Sequence, residues 1–242
     1  MCTVSFIPTK DKFYLTSNRD EKVLRKAALP PAVYWGNGSG LVYPKDAEAG
    51  GSWISISQNG NAAVLLNGAF TKHISQPPYR LSRGIIFLDI IGAARPCFAF
   101  TKINLHNIEP FTIIIFENNG LFECRWDGQQ KHCKQLKNYR PYIWSSSTLY
   151  EEEVVAKRES WFIQWLNKNP NPTQEDILQF HQFTGDGDIK NDLMMNRDGK
   201  MLTVSVTGIE LEKYSGKMQY IDLKNNSATI QQFAFGHLQK VA

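Results

Sequence analysis

Short β-prone segments joined by tight polar turns recur along this chain and limit its fold more strongly than any other feature. Three such pairs are residues 2–7 with 13–17, 53–57 with 62–66, and 112–116 with 121–126. Their connections contain turn-forming residues: Asn59-Gly60 favours the tight turn of a β-hairpin in the second pair, and Glu117-Asn118-Asn119-Gly120 joins the third pair in the same way. Antiparallel hairpins therefore predominate, and the first of them lies at the N-terminus.

Three helical segments and four further strands complete the pattern. The predicted helices are residues 82–94, ended by Pro96, 150–167, ended by a proline-rich stretch, and 173–183, with Thr173 as N-cap. The predicted late strands are residues 202–207, 209–214, 218–223 and 229–235. Strands that flank grouped helices predict one domain over residues 1–242 with an α+β fold, in which two antiparallel sheets pack face to face and helices lie outside.

Composition excludes several classes of protein. Hydrophobic residues make up 42% and charged residues 21% of the 242 residues, as in ordinary globular chains. The formal net charge of +4 comes from dispersed Lys and Arg, so we expect no nucleic-acid surface. We expect no secretory leader, because the first residues lack a basic segment followed by an apolar run, and no membrane span, because the apolar run at 85–94 is too short to cross a bilayer. Four widely spaced cysteines then indicate reduced thiols, no structural disulfide and a cytoplasmic location.

Cys2 is the candidate nucleophile. Removal of Met1, expected before a small residue, would leave a thiol and a free α-amine on one residue. The α-amine has a pKa of ~7.7–8.0 and the thiol one of ~8.5, so proton transfer between them is nearly level at neutral pH. The thiol can then act as nucleophile with the amine as its base. A cysteine at this position also occurs by chance, so the assignment depends on its surroundings.

The tetrapeptide Asn18-Arg19-Asp20-Glu21 ends the second strand of the first hairpin, which would return it close to Cys2. Arg19 would lower the pKa of the thiol, and Asp20 would hold the α-amine. The alternative is a solvated turn, since the same tripeptide recurs at Asn196-Arg197-Asp198 with no nucleophile nearby. Adjacent residues of a strand point to opposite faces, so both charges reach Cys2 only if the strand ends or bulges there.

Several other motifs in the first part of the chain match those of a known family. They are Trp35-Gly36-Asn37, Asp46, Gly50-Gly51-Ser52-Trp53, Ala63-Val64-Leu65-Leu66-Asn67 and Ser82-Arg83-Gly84. Together with the initial Met-Cys and the Asn-Arg-Asp-Glu tetrapeptide, they make the chain similar to the family called transport and Golgi organization protein 2, also named after that tetrapeptide. The match is clear as far as the first predicted helix and looser beyond it.

This resemblance implies a four-layer αββα sandwich of the N-terminal nucleophile hydrolase type. The related choloylglycine and penicillin V acylases cleave linear amides with an N-terminal cysteine. Residue by residue, the resemblance implies Cys2 as nucleophile, Arg19 and Asp20 as charge partners, and Asn67 as a donor to the oxyanion. Asn67 is equally compatible with a turn after its strand. Further residues expected to line the cleft are Asn18, Glu21 and Ser146.

Two segments depart from the family pattern. Ser145-Ser146-Ser147 stands where many relatives have Ser-Asn, so hydroxyls replace a second oxyanion amide. Met201-Leu202-Thr203 stands where relatives have Thr-Arg, so the late arginine is missing.

Two functions of different classes fit these features. The first is an amidohydrolase that cleaves a linear C–N amide bond of a small molecule through Cys2. The second is a non-catalytic binding or trafficking protein for a hydrophobic ligand, because the resemblance associates the family with secretory organisation, lipid balance and haem handling. The histidines are isolated in sequence, so no haem-ligand motif supports haem as that ligand: His73, His106, His132, His181 and His237.

Neither a metal nor a cofactor is predicted. Cys124, His132 and Cys133 have no Cys-x-x-Cys pair and fit no familiar zinc spacing. The acidic loop at 184–192 lacks the glycine and glutamate that a calcium loop needs in register, which favours a mobile acidic loop. The aromatic residues of the long predicted helix are assigned to the core.

Overall fold

The computed structural model describes residues 3–36 and 39–235 and contains two stacked antiparallel sheets of seven strands each. In chain order the strands are β1 (Thr3–Pro8), β2 (Phe13–Lys22), β3 (Leu29–Gly36), β4 (Ser39–Lys45), β5 (Ile54–Ser57), β6 (Ala62–Asn67), β7 (Phe111–Glu117), β8 (Gly120–Trp126), β9 (Lys131–Leu136), β10 (Tyr142–Ser145), β11 (Asn196–Arg197), β12 (Met201–Leu211), β13 (Ser215–Asp222) and β14 (Ser227–Ala234). The helices are α1 (Arg83–Ile91), α2 (Pro96–Lys102), α3 (Glu152–Lys168) and α4 (Gln174–Phe183).

The first sheet joins the two ends of the described chain. Its order is β10-β1-β2-β12-β13-β14, and β11 pairs with β12. The predicted N-terminal hairpin is confirmed for the described residues, since Thr3 pairs with Asn18 and Pro8 with Phe13. The two predicted segments at 202–207 and 209–214 merge into one strand, β12, which continues through Gly208 but ends at Leu211, so the second segment was predicted three residues too long.

The second sheet runs through consecutive strands from β3 to β9. Its β7–β8 turn has positive φ at both Asn118 and Asn119, the backbone of a type I′ hairpin turn. The sequence patterns missed β3, β4 and β9 because their residues mix prolines, glycines or lysines with apolar residues. Those compositions weaken a strand pattern taken in isolation.

Helices cover the outer face of each sheet, so the predicted four-layer αββα arrangement is confirmed. α1 and α2 pack on the second sheet, whereas α3 and α4 pack on the first. The capping box predicted at Thr173 and Asp176 is present, and α4 ends at Phe183 as expected. The prediction that the first helix continues to residue 94 and is ended by Pro96 is wrong, because α1 ends at Ile91. Pro96 instead begins α2, where its missing N–H leaves no hydrogen bond unmade.

The main core lies between the two sheets, and strand alternation determines which residues enter it. In β1, Val4 and Phe6 belong to this inter-sheet core, whereas Ile7 packs into a smaller cluster beneath α3 and α4. Among the described residues, no helix is long and apolar enough to cross a membrane.

Candidate active site

The Asn-Arg-Asp-Glu tetrapeptide lies inside β2, which extends to Lys22. The strand predicted at 13–17 therefore continues through the tetrapeptide and does not end at Arg19 and Asp20. The irregularity is on the neighbouring strand: Arg19 pairs with Ser205 and Asp20 with Thr203, so Val204 of β12 bulges between them. Because β2 is continuous here, Arg19 and Asp20 point to opposite faces of the first sheet.

Arg19 points between the sheets and is almost completely buried. Its Nη2 lies 2.6 Å from Oδ2 of Asp46 and 3.6 Å from Oε2 of Glu21, and its guanidinium carbon is 4.6 Å from the ring centre of Trp53. A buried guanidinium needs such charge and hydrogen-bond partners to offset its desolvation. The aromatic face and two carboxylates therefore fix Arg19 in one position.

Asp46 is the charged centre of this group. Its carboxylate accepts two hydrogen bonds from Arg25, at 2.9 and 3.0 Å, and others from the backbone N–H groups of Glu48 and Ala49. Burial acts to raise the pKa of Asp46, but the hydrogen bonds from Arg25 and Ala49 and the charge of Arg19 outweigh it and hold the pKa below its ordinary value. Asp46 therefore stays ionised at neutral pH.

A pocket of about 150 Å³ opens beside Arg19. Residues from motifs far apart in the sequence line it, and Arg19 and Asn67 share it. The lining residues drawn from the tetrapeptide and the other family motifs are Arg19, Glu21, Asp46, Gly51, Ser52, Trp53, Leu65, Asn67, Ser82, Arg83 and Gly84. The fold thus brings most of the family motifs to one place, whereas Trp35 of the Trp-Gly-Asn motif is exposed and does not line the pocket.

Two of these motifs pack backbone against backbone. A Cβ on Gly51 would lie 2.4 Å from the carbonyl carbon of Gly84, and one on Gly84 would lie 2.9 Å from the carbonyl oxygen of Ser52. Only glycine permits this approach. The beginning of α1 therefore rests directly on the pocket wall that carries Trp53.

Asp20 points to the opposite face, beneath the helices. Its carboxylate accepts hydrogen bonds from the hydroxyls of Tyr150, at 2.7 Å, and Thr203, at 2.6 Å. Thr203 belongs to the segment that departs from the family pattern by lacking an arginine, so here that segment supplies a hydroxyl to Asp20. The side chain of Asp20 is buried and anchored on two sides.

Asn18 is completely buried on the same face. Its side-chain N–H groups donate to the carbonyls of His181 and Leu193, so its oxygen is left to accept from Nδ1 of His181. Nε2 of His181 then accepts from the hydroxyl of Ser5, at 2.7 Å. Burial, aided by the charge of Arg158, lowers the pKa of His181 to about 3, so the imidazole is neutral. This sealed Ser-His-Asn chain ties β1 and β2 to α4.

Arg158 of α3 secures the beginning of β1. Its guanidinium is fully buried, donates to the hydroxyl of Thr3 at 2.6 Å, and donates to the carbonyls of Asn191 and Asp192. It also stacks on Tyr150, with 3.7 Å between the guanidinium carbon and the ring centre. Arg158 therefore links Thr3, the residue that follows Cys2, to the tyrosine that holds Asp20.

The remaining predicted residues have the following positions. Ser146 donates its hydroxyl hydrogen to the backbone carbonyl of Asn67, at 2.8 Å, so the serine-rich segment adjoins the end of β6. Asn67 is the last residue of β6 and pairs with Phe111. Cys2 and Asn37 lie outside the described residues.

Several residues of the site had no sequence signal. Arg25 follows the tetrapeptide at a spacing that predicts nothing, and Tyr150 and Arg158 belong to a segment that reads only as an amphipathic helix and its start. The second Asn-Arg-Asp sequence also reaches this region, because Arg197 lies 5.2 Å from the ring centre of Tyr150 and donates to the carbonyl of Leu149.

Three of the histidines have separate side-chain partners. His73 lies beside Glu109, His132 bonds to Asp127, and His181 is sealed within the chain with Ser5 and Asn18.

Solved structures define the class of this fold. The N-acylethanolamine-hydrolyzing acid amidase ortholog of Caenorhabditis elegans aligns with a TM-score of 0.60 and 14% identity, over 86% of this chain and 92% of its own. A cysteine-to-alanine mutant of conjugated bile acid hydrolase from Clostridium perfringens aligns with a TM-score of 0.54 and 12% identity, over 99% of this chain and 100% of its own. The protein therefore has the N-terminal nucleophile hydrolase fold.

The family is shown by sequence. A family model described as Transport and Golgi organisation 2 matches residues 1–225. The chain belongs to this family, which confirms the resemblance predicted from its motifs. No curated protein sequence matches the chain.

Proposed function

We propose that the protein is an amidohydrolase that cleaves a linear C–N amide bond with Cys2 as its N-terminal nucleophile. The observation that carries this proposal is the pocket that Arg19 and Asn67 share. Arg19 follows Asn18, the cross-strand partner of Thr3, so the pocket adjoins the N-terminal end of β1. A cationic group for a thiolate and an amide for an oxyanion are the two supports that acyl transfer from a cysteine requires. The N-terminal nucleophile hydrolase fold supports the same chemistry.

The reaction begins with loss of Met1. The α-amine of Cys2 takes the thiol proton, and the thiolate attacks the carbonyl carbon of the substrate. The resulting oxyanion is stabilised by Asn67 and backbone N–H groups. When the tetrahedral intermediate collapses, the ammonium of Cys2 gives its proton to the departing nitrogen, and a thioester remains. Water, deprotonated by the amine, then releases the carboxylic acid and restores Cys2.

The opposite directions of Arg19 and Asp20 fit this reaction. A terminal cysteine carries two functional groups, a thiol on its side chain and an amine on its backbone. A charge on each face of the neighbouring strand can serve one group each: Arg19 the thiolate and Asp20 the ammonium. The bulge at Val204 then provides the local distortion at the tetrapeptide without ending β2.

The substrate is proposed to be a small-molecule amide with an extended acyl group. The pocket beside Arg19 is small, but a second pocket of about 410 Å³ lies next to Ser145, the cross-strand partner of Thr3. Phe70, Trp144 and Val155 give it apolar walls. Its charged walls carry both signs: Lys72, Arg125, Glu151, Glu152 and Glu159. This mixture suits an amphiphilic acyl compound.

A thioester-trapping assay tests the proposal. The protein, made so that Met1 is removed, is incubated with N-acylethanolamines, conjugated bile acids and simpler N-acyl compounds, quenched with acid, and examined by intact mass. We expect the mass of one acyl group on wild-type protein and none on Cys2→Ala. A form with one added residue before Cys2 keeps the thiol but lacks its free amine, so it should also stay unacylated.

Two results would oppose the proposal. Acylation of Cys2→Ala would show that another residue reacts, and retention of Met1 by protein made in its own host would leave Cys2 without its base. Either result would favour the alternative, a binding or trafficking protein that keeps the fold without turnover.

A further inference from the structure

Three of the four cysteines come together far from the tetrapeptide in the sequence. Cys97 lies in the first turn of α2, Cys124 on β8 and Cys133 on β9. Cys124 and Cys133 are cross-strand partners, and α2 packs over the same strands. Sγ of Cys133 lies 3.3 Å from Sγ of Cys97 and 2.9 Å from Sγ of Cys124, and all three sulfur atoms lie within 4.8 Å of one another. We call this group the thiol cluster.

We propose that the thiol cluster binds one thiophilic cation, Zn²⁺ or Cu⁺, through three thiolates. Thiolates that share a zinc ion at about 2.3 Å lie roughly 3.7 Å from one another in tetrahedral geometry. The separations in the thiol cluster fall on both sides of that value, so binding requires only small side-chain shifts. Soft sulfur ligands select these cations over Mg²⁺ or Ca²⁺.

Charge balance also favours a cation at the thiol cluster. Its three sulfur atoms lie within 4.8 Å of one another, so all three can present thiolates to the same ion. Binding of the cation releases the thiol protons and places three thiolates on the metal.

The surroundings give the site an entry path and a rigid support. Cys133 is exposed, Cys97 is half-buried and Cys124 is fully buried, so a cation enters from the side of Cys133. The backbone N–H of Cys97 donates to Oε2 of Glu117, at 2.7 Å, which holds the beginning of α2 against the sheet.

The coordination number follows from the neighbouring residues. His132, next to Cys133 in sequence, bonds to Asp127 instead. Within the described part of the chain, no histidine or carboxylate joins the three sulfur atoms. The cluster therefore offers trigonal sulfur ligation to Cu⁺, or three ligands and one open position for water to Zn²⁺.

This site had no clear sequence signal, because Cys97 is separated from the other two cysteines by the whole of β7. The sequence spacing of Cys124, His132 and Cys133 predicted no metal site, and in the fold His132 bonds to Asp127. Only the packing of α2 on β8 and β9 identifies Cys97 as the partner.

Metal titration of the reduced, full-length protein under anaerobic conditions tests the proposal. In one arm the protein competes with a chromophoric chelator for Zn²⁺. In the other arm it competes with a Cu⁺-specific chelator for Cu⁺. We expect one equivalent of at least one cation per chain, with three of the four thiols protected from a thiol reagent. The cation that the protein retains in the presence of excess chelator is the one that the thiol cluster binds.

Single-cysteine variants localise the metal. Cys97→Ser, Cys124→Ser and Cys133→Ser should each weaken binding by at least about tenfold, because each removes a soft ligand. Cys133 is exposed, so its variant should fold even if the buried Cys124→Ser does not. Cys2→Ser is the matched control and should bind metal as the wild-type protein does.

Three results would overturn the proposal: no stoichiometric binding of either cation, equal affinity in wild-type protein and Cys133→Ser, or loss of binding in Cys2→Ser. Failure to bind metal when reduced, combined with loss of two hydrogens between Cys124 and Cys133 in air, would assign the cluster to disulfide formation instead. None of these results bears on acylation of Cys2, so the two proposals fail independently.

Discussion

The residues of the Asn-Arg-Asp-Glu tetrapeptide alternate between the two faces of β2, and the two faces have different environments. On the inter-sheet face, Arg19 meets Asp46, Glu21 and Trp53 at the wall of a pocket. On the helix face, Asn18 and Asp20 lie in a sealed network, with His181 among its members. One face is open to a small molecule, whereas the other is closed beneath α3 and α4.

This difference separates two requirements of the proposed chemistry. A charge at a pocket wall can act on a reacting group, whereas a buried carboxylate with fixed hydroxyl partners can hold a group in place. Substitutions on the helix face should therefore cost stability as well as turnover. Substitutions on the pocket face should cost turnover more than stability.

Cys2→Ala should have the largest effect because it removes the proposed nucleophile itself. Amide turnover and acyl-enzyme formation should fall by ~1,000-fold or more, as with other nucleophile deletions. The midpoint of thermal unfolding should stay within a few degrees of the wild-type value. Steady-state kinetics and calorimetry on the same preparation check both expectations, and undiminished turnover would refute the role of Cys2.

The helix face should make stability depend on pH through His181. Its pKa is about 3 in the folded protein and ~6.5 in the unfolded chain, so between these values only the unfolded state takes up the proton. The free energy of unfolding should therefore fall as pH falls from about 6.5 towards 3, by up to ~1.4 kcal/mol per pH unit from this group.

Urea unfolding at pH 5, 6 and 7 measures this slope, and His181→Gln is the comparison. The variant cannot titrate, so its stability should change less with pH over this range, although it should be less stable at pH 7. Identical slopes in the two proteins would mean that His181 takes up a proton as readily in the folded state as in the unfolded state, so that its pKa is not lowered in the fold.

Asp20→Asn tests whether the helix face both stabilises the fold and positions the ammonium group of Cys2. The amide would present N–H to a hydroxyl that now donates, leaving a buried polar group poorly paired, so stability should fall by ~1–3 kcal/mol. Turnover should fall by ~100-fold if Asp20 also holds the ammonium of Cys2.

The second Asn-Arg-Asp sequence provides the matched control. Asp198 is exposed, has a φ of 56° and lies 3.0 Å from Lys190. Asn tolerates such a backbone and an exposed ion pair contributes little, so Asp198→Asn should change stability by less than ~1 kcal/mol. Equal effects of the two substitutions would remove the distinction between the motifs.

Much of this fold is encoded locally, but the site is not. Asn118 and Asn119 specify their turn, and Thr173 with Asp176 specifies the start of α4, because those contacts span only a few residues. The pocket depends on contacts such as Arg19 with Asp46 and Gly51 with Gly84, which no local pattern encodes. Family motifs pointed to Arg19, Asp20 and Asn67 without giving the direction of each side chain.

Among the substitutions of proposed catalytic residues, Arg19→Gln should have the smallest effect, and it tests the pocket face most directly. Asp46 keeps Arg25 and two backbone N–H groups, so the loss of stability should be near ~1 kcal/mol. Without the guanidinium the pKa of the Cys2 thiol should rise, so the acidic limb of the kcat/KM profile should move to higher pH and turnover at pH 7 should fall by ~10-fold. Arg25→Gln is the control, because Arg25 contacts the same carboxylate from the rim of the pocket. This variant should weaken the hydrogen bonding of Asp46 without moving the acidic limb. If both variants leave the pH profile in place, Arg19 serves to hold Asp46 and Trp53 together and does not tune the thiol.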